Sequence, residues 1–501
     1  MRVLFVTSEL YPLIKTGGLA DVCGALPPAL AAEGVAVRTL LPAYPVVLER
    51  LEGAEQVATI EDLFGGPARL LRATTAEGVE VLALDCGHLY QRVGNPYLGP
   101  DGQDWPDNHF RFAALAWVAS EIGLGGLVDW RPDVVHAHDW QAGLAPAYLA
   151  FSGEPHPATV ITVHNLAFQG LFPPAWLEPL RLPPASFSVD GVEFYGKIGF
   201  LKAGLYYADR ITTVSPTYAR EIMTPEAGSG LDGLLATRAR DVAGILNGLD
   251  DAVWDPATDP VLPHPYGPDD PSGKAADKRV LQERFGLAAE PDAPLFCVVS
   301  RLTEQKGLDL LLEVLPRLVA AGGQLALLGT GDPDIEAGFV DAARRFAGRI
   351  GTIIGYDERL SHLMQGGADA ILVPSRFEPC GLTQLAGLRY GTIPVVARVG
   401  GLADTVIDAN DAALTDGVAT GIVFAPVTGS ALADALDRAI GLYRERELWR
   451  TMVRRAMTRD VGWRRSAARY AALYADLVGG PSRPPGEAPA PAEPARFRPP
   501  E

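Results

Sequence analysis

The chain opens R-V-L-F-V-T-S-E, a short, continuously apolar run that ends on polar residues. A run of this kind, apolar without alternation, predicts a parallel strand buried on both faces. A glycine-containing loop follows, then a helical stretch from about Ala20, in which Pro27 and Pro28 predict a kink or break. Further strands are predicted at V35-A-V-R-T-L-L-P, V79-E-V-L-A-L-D, D133-V-V-H-A-H-D, T159-V-I-T-V-H-N, R210-I-T-T-V-S-P and V242-A-G-I-L-N-G, alternating with helical stretches such as 142–150 and 199–208. Strand–helix alternation implies right-handed crossovers and a parallel sheet covered on both faces.

A Pro- and Asp-rich stretch at 249–272 breaks the pattern and reads as an interdomain linker. The alternation then restarts with L295-F-C-V-V-S-R, an amphipathic helix over 308–320, and strands at Q324-L-A-L-L-G, I350-G-T-I-I-G, A370-I-L-V-P-S, I393-P-V-V-A-R and G421-I-V-F-A. Long helices over 429–457 and 466–477 close the fold. The tail at 479–501, dominated by Pro, Ala, Glu and Arg, cannot bury a core and reads as disordered. The fold class is therefore α/β: two doubly wound, Rossmann-like domains, 1–248 and 273–460, facing across a deep cleft where ligands are expected beyond the carboxyl ends of the strands. A length of 501 residues suits two domains.

The formal net charge of −18 argues against a nucleic-acid partner, which calls for a concentrated basic surface. Cys23, Cys86, Cys297 and Cys380 are scattered, with neither metal-ligand spacing nor the density of a disulfide scaffold, so a reducing, cytoplasmic setting is expected. The apolar run at residues 3–6 is too brief for a signal-peptide core, and no run approaches membrane-spanning length.

The word Gly-Gly-Leu-Ala-Asp occurs twice, in K15-T-G-G-L-A-D and in V399-G-G-L-A-D, each time between a predicted strand and helix. Glycines at such a turn, here Gly17 and Gly18, let amides approach an anion, and Lys15 adds a mobile positive charge. A tight turn with a solvated lysine, reused in the second domain, explains the same residues. Neither a Walker loop nor the G-x-G-x-x-G dinucleotide fingerprint is present, which weakens a hydride-transfer reading. In S300-R-L-T-E-Q-K-G, Arg301 and Lys306 flank a helix start, as a diphosphate site requires; a surface ion pair is the bland alternative. In S375-R-F-E-P-C-G-L-T-Q, Glu378 is placed to accept sugar hydroxyls or balance positive charge, or to cap the following helix. The amides of Cys380, Gly381 and Leu382 and the hydroxyl of Thr383 can hold phosphate or sugar oxygens. His136, His138, Asp139 and His164 suggest a metal, but strand alternation and the lack of a second ligand cluster argue against one. Asp139, His164 and Asn165 are better suited to a polyhydroxylated ligand, with Tyr97, Trp140 and Tyr356 as stacking partners.

Together K-T-G-G-L-A-D-V, H-A-H-D-W-Q-A-G-L, T-V-H-N-L-A-F-Q-G, F-L-K-A-G-L-Y-Y-A-D, V-S-P-T-Y-A-R-E-I, S-R-L-T-E-Q-K-G-L-D, S-R-F-E-P-C-G-L-T-Q and G-G-L-A-D-T-V resemble the bacterial glycogen synthases, with plant starch synthases similar at the same places. The resemblance runs in order from Met1 to about Leu477. It implies a GT-B fold whose last helix, 461–478, crosses back to the first domain. It implies transfer of glucose from ADP-glucose to the nonreducing 4-hydroxyl of an α-1,4-glucan, with retention and without metal or cofactor. By motif, Lys15, Gly18, Arg301, Lys306 and Thr383 would hold the diphosphate and Tyr356 would lie beside the adenine. Asp139, His164, Asn165, Asn247, Glu378, Cys380 and Gly381 would surround the glucose. Glu378, His164, Lys15, Arg301 and Lys306 would carry the chemistry, and Phe168 stands where an aromatic of either kind would serve. The rival readings are a glucosyltransferase using UDP-glucose or another acceptor, a non-catalytic glucan-binding relative and, last, a hydride-transfer enzyme.

Overall fold

The apolar opening run becomes strand β1 (Arg2–Val6), with Val3 to Val6 fully buried. The computed structural model describes residues 1–480; the tail read at 479–501 therefore lies outside the described residues from 481 onward, and Gly479 itself closes the last helix. The described chain divides into two units, Met1–Asn247 together with 463–480, and Gly248–Gly462.

In unit 1 the chain next lays down β2 (Ala36–Pro42), β3 (Glu55–Ile60), β4 (Ala68–Thr74), β5 (Glu80–Asp85), β6 (Val134–His138) and β7 (Ala158–Val163). The short strands β8 (Leu171–Phe172), β9 (Glu193–Phe194) and β10 (Lys197–Gly199) form a small sheet of their own. With β11 (Arg210–Thr213) and β12 (Val242–Gly244), the main sheet has nine strands in the order β12-β11-β7-β6-β1-β2-β5-β4-β3. All pairings are parallel except β3–β4 and β4–β5. The order turns around between β1 and β6, and a doubly wound sheet opens a crevice at the carboxyl ends of such a strand pair.

Unit 2 repeats this plan with β13 (Leu295–Val299), β14 (Gln324–Gly329), β15 (Ile350–Ile354), β16 (Ala370–Val373), β17 (Ile393–Ala397) and β18 (Ile422–Phe424), all parallel in the order β15-β14-β13-β16-β17-β18. Its turnaround falls between β13 and β16.

The structure departs from the expected elements at four places. Pro27 and Pro28 do not break the first helix, which runs unbroken over Gly18–Ala32. Burial of Leu26, Pro27 and Leu30 offsets the amide hydrogen bonds those prolines forgo. The helix expected over 429–457 is two, Gly429–Arg444 and Arg446–Met457, because leaving the helical conformation at Glu445 brings Tyr443 and Trp449 into edge contact at 5.3 Å, both buried. The hairpin β3–β4 lacks a continuous apolar run and was not expected. The stretch read as a linker belongs to unit 2: Leu262 and Tyr266 are buried, and Asp259 accepts from His362 Nδ1 at 2.7 Å and from Tyr390 at 2.5 Å. Its proline-rich composition marks irregular backbone, which side-chain bonds nevertheless fasten.

The last helix, Arg464–Gly479, packs Ala467, Tyr470 and Tyr474 against Val3, Phe5, Val22 and Leu26 of unit 1. Tyr474 hydroxyl meets the fully buried His136 Nδ1 at 2.7 Å. Tyr474→Phe strands that imidazole nitrogen and is expected to lower the unfolding free energy by about 1–3 kcal/mol, read as a lower urea midpoint. A shift no larger than that of Val478→Thr, at a half-exposed position, would show that the bond contributes nothing.

Candidate active site

In unit 2 the loops after β13 and β16 leave the sheet side by side. The first passes through a 3₁₀ turn, Glu304–Lys306, into the helix Leu308–Ala320. Lys306 Nζ reaches Glu378 Oε2 at 2.5 Å, and Ser375 Oγ donates to the same oxygen at 2.9 Å. The Glu378 side chain is 8% exposed and that of Lys306 19%, so this ion pair is largely withdrawn from water. Arg376 locks the two loops together. Its amide donates to Gln305 O at 2.9 Å, while its guanidinium bonds Glu304 O at 2.5 Å and both Asp309 oxygens at 2.7 and 2.6 Å. Arg301 is exposed and reaches Gln305 Oε1 only at 3.4 Å. Its guanidinium therefore stays largely in solvent beside the buried pair.

The second copy of the repeated word supports this loop from below. Gly401 N donates to Glu378 O and Pro379 O, both at 3.1 Å. Gly400 holds φ +41°, and a Cβ there would sit 2.0 Å from Glu378 O; one at Gly401 would sit 2.3 Å from Cys380 O. Only glycines let the two turns approach so closely. Past Glu378, Cys380 is buried, Gly381 takes φ +73°, Leu382 precedes the helix Thr383–Tyr390, and Thr383 is its first residue. Gln384 Nε2 fixes this turn through Cys380 O and Gly381 O, both at 2.9 Å. Tyr356, two residues beyond β15, is 70% exposed and hydrogen-bonded to Glu358.

Unit 1 builds its crevice around Glu9, a residue to which the sequence reading gave no role. This buried carboxylate accepts from Thr16 Oγ1 at 2.5 Å, Thr16 N, Gly17 N at 3.2 Å and the Tyr97 hydroxyl at 2.5 Å. The Gly17 amide, read as part of an anion cradle, is thus turned to the chain's own carboxylate at the start of the helix Gly18–Ala32, where the dipole favours negative charge. The signal was available: an acidic residue directly after the strand and ahead of a Gly-Gly turn. Lys15 pairs with Asp21 at 2.9 Å and lies 5.4 Å from the Tyr11 ring centroid. Tyr97, read as a stacking partner, is half-buried and anchored by its hydroxyl to Glu9. Its hydroxyl also meets Ser8 at 2.8 Å, and burial together with the Glu9 charge pushes its pKa well up, so it remains a donor. Trp140 is core rather than surface, packed on Phe112, Phe172 and Phe200.

At the ends of β6 and β7, Asp139, His164 and Asn165 come together. Asp139 holds φ +55° and accepts from His164 N at 2.7 Å. Burial pushes its carboxyl up to about 7 against the opposing amides of His164 and Asn165. Burial also takes His164 down to about 3, so its ring is neutral, and its Nε2 lies 3.0 Å from His138 Nδ1. Asn165 Oδ1 accepts from Ala167 N at 3.1 Å and shapes the loop. Asn247, which ends the first segment of unit 1, has a buried Oδ1 without a hydrogen-bond partner.

The alternation argument about His136 and His138 needs correction. Two positions apart, they share a face, with ring centroids 4.2 Å apart. Both His136 nitrogens are engaged, by Tyr474 and by Thr162 Oγ1 at 2.6 Å. Among the described residues no group of three or more His, Cys, Asp or Glu side chains is arranged to hold a metal ion.

Each unit thus carries polar residues at its own turnaround point. Residues 2–237 match the family model described as "Starch synthase catalytic domain", and residues 280–456 match "Glycosyl transferases group 1". A protein named glycogen synthase from Roseobacter denitrificans is 60% identical over 96% of this chain and 100% of its own length. Another of that name from Rhodopseudomonas palustris strain BisB18 is 59% identical, over 95% of this chain and 98% of its own. The catalytic domain of starch synthase IV from Arabidopsis thaliana, solved with ADP and acarbose, is similar with a TM-score of 0.86 and 31% identity, over 96% of this chain and 99% of that one. With its two Rossmann-like α/β units, the chain belongs to the glycogen and starch synthase family of GT-B glycosyltransferases.

Proposed function

We propose that the chain transfers glucose from ADP-glucose to the 4-hydroxyl at the nonreducing end of an α-1,4-glucan, with retention of configuration. The observation that carries this reading is the Lys306–Glu378–Ser375 constellation beside Arg301, where carboxylate and cations sit at one strand-order reversal. The relatives named glycogen synthase, and the starch synthase bound to ADP and acarbose, support the choice of donor and acceptor.

Cleaving the bond between the anomeric carbon and the diphosphate leaves positive charge on the sugar ring and negative charge on the departing ADP. Arg301 and Lys306 neutralise the latter, a preorganised electrostatic term of the kind that usually contributes most. The departing phosphate takes the proton of the incoming hydroxyl on the same face, which retains configuration without a covalent sugar–enzyme bond. Glu378, held by Lys306 and Ser375, faces the cationic ring. The amides of the 380–383 turn and the Thr383 hydroxyl bind donor oxygens, and the exposed Tyr356 ring lies against the adenine. In unit 1, neutral His164, Asp139 and Asn165 bind sugar hydroxyls. Lys15 and Gly18, on the loop that Glu9 fastens through the Gly17 amide, bind donor oxygens. No metal is needed in this scheme, since the two side-chain cations do the neutralising.

No helix among the described residues is long and apolar enough to cross a membrane, and all four cysteines are free and buried. The reading places the enzyme in the cytoplasm with glycogen as its partner.

ADP release should require both ADP-glucose and glycogen and persist with a chelator present. Equal release from UDP-glucose, or release without glucan, would overturn the donor or acceptor assignment. Glu378→Gln is expected to lower kcat by about 10²–10³, and normal turnover would remove Glu378 from its role. Asp139 also makes stability depend on pH. A folded-state pKa of about 7, above the roughly 4 of an unfolded carboxyl, gives a contribution present at low pH and lost as pH rises between those values. The melting temperature of Asp139→Asn relative to the parent should therefore rise from about pH 4 to about pH 7 and level off above. A flat difference would show that Asp139 is ionised throughout.

A further inference from the structure

Five non-glycine residues among those described hold a left-handed backbone: Phe64, Asp139, Arg181, Tyr195 and Ser229. This conformation disfavours any residue with a Cβ, and such outliers gather where function requires them. Phe64 and Arg181 stack on each other at 4.6 Å, and Asp139 lies in the pocket already described. Tyr195 and Ser229 remain, at φ +49° and +50°, on two segments that touch.

We propose that Phe168, Tyr195 and the Ser229-Gly230 turn form a docking strip for the α-glucan chain, leading away from the Asp139–His164 pocket. This rests on the reading of the chain as a glucosyltransferase acting on α-1,4-glucans. Tyr195 sits at the tip of the β9–β10 hairpin, where Glu193 Oε1 fixes the turn by accepting from Gly196 N at 2.6 Å. The residue is 80% exposed, with the Phe194 ring edge-on to its own at 4.7 Å. The ring passes so close to Gly230 that a Cβ there would sit 3.1 Å from its edge and 3.3 Å from its hydroxyl; with φ +82°, Gly230 meets a steric and a conformational demand at once.

The strip is continuous with the pocket. Phe168, 52% exposed, follows His164 and Asn165 in the same loop and donates its amide to Asn165 O at 3.3 Å. The next residue, Gln169, ties this loop to the turn through Nε2 to Ser229 O at 3.0 Å. Exposed rings on two loops tied together by Gln169 and Ser229, one of them carrying a phenol, match a neutral polymer of sugars, whose rings stack their C–H faces on aromatics and bond through their hydroxyls. None of Phe168, Gln169, Ser229, Gly230 and Tyr195 is charged, whereas a protein partner would be expected to cover a contiguous apolar patch.

Tyr195→Gly tests this directly, because glycine removes the ring and relieves the backbone at the same time. Its melting temperature should equal or exceed the parent's, so lost binding cannot be ascribed to damaged folding. In electrophoresis through gels containing glycogen, without donor, retention should weaken about three- to tenfold. The ratio of KM for glycogen to KM for maltotriose should rise by a similar factor, while Tyr195→Trp restores both and Phe168→Ala adds to the loss. Parent-like retention of Tyr195→Gly, or equal weakening for glycogen and maltotriose, overturns the proposal. So does a change in mass by light scattering with retention unaltered, which would make the strip a protein contact. Failure of the underlying reading looks different: the parent would be retained in the gel yet release no ADP.

Discussion

The contact between Lys306 and Glu378 constrains the second unit more than any other. Two opposite charges at 2.5 Å, mostly screened from water, are not there for stability, since withdrawing both from solvent offsets much of their attraction. Their consequence is placement. Ser375 and Lys306 both hold Glu378 Oε2, so the carboxylate is kept in one position on its loop. The rest of the loop follows from that requirement. Arg376 pairs with Asp309 and bonds the backbone of Glu304 and Gln305, which fastens the loops after β13 and β16 together and leaves Arg301 as an exposed guanidinium.

The same constraint explains why one five-residue word occurs twice. In both copies a Gly-Gly turn passes from strand to helix, but the amides end on different partners. Gly17 N goes to Glu9, a carboxylate buried at the end of β1; Gly401 N goes to the backbone carbonyls of Glu378 and Pro379. One turn fastens the loop that carries Lys15, and the other forms the bed under Glu378. The shared sequence reflects shared local geometry, and its partners come from residues far away in the chain.

That distinction marks how far the amino-acid sequence could be read. Buried parallel strands such as L295-F-C-V-V and T159-V-I-T-V announce themselves because burial on both faces demands unbroken apolar runs, so both sheets and their loops were legible. The edge hairpin β3–β4 was not, because its strands mix polar and apolar positions without a continuous run. The segment at 249–272 looked like a linker because proline and aspartate mark irregular backbone, while the bonds of Asp259 to His362 and Tyr390 depend on partners about a hundred residues away. Trp140 could be assigned to surface or core only by its neighbours. The motifs named loops at the carboxyl ends of the strands; which of their amides and side chains were already engaged required the fold.

The two turnaround points also differ in charge, in the way the proposed reaction would require. In unit 2 the charges are fixed, two cations and a carboxylate, suited to a leaving group that departs with negative charge. In unit 1, at the ends of β6 and β7, burial works toward neutrality. It takes protons from the His136 and His164 rings, whose pKa values fall to about 3, and it holds a proton on Asp139 up to about 7. Neutral imidazole and a carboxyl near its titration point exchange hydrogen bonds with hydroxyls at little electrostatic penalty, whereas a buried imidazolium would need a charged partner of its own. Burial depth at the end of β6 and β7, set by the Phe5 ring packed on His136 and His138 and by Tyr474 of the last helix, therefore fixes the protonation of this pocket, with the His136 and His164 imidazoles neutral and Asp139 protonated up to about 7.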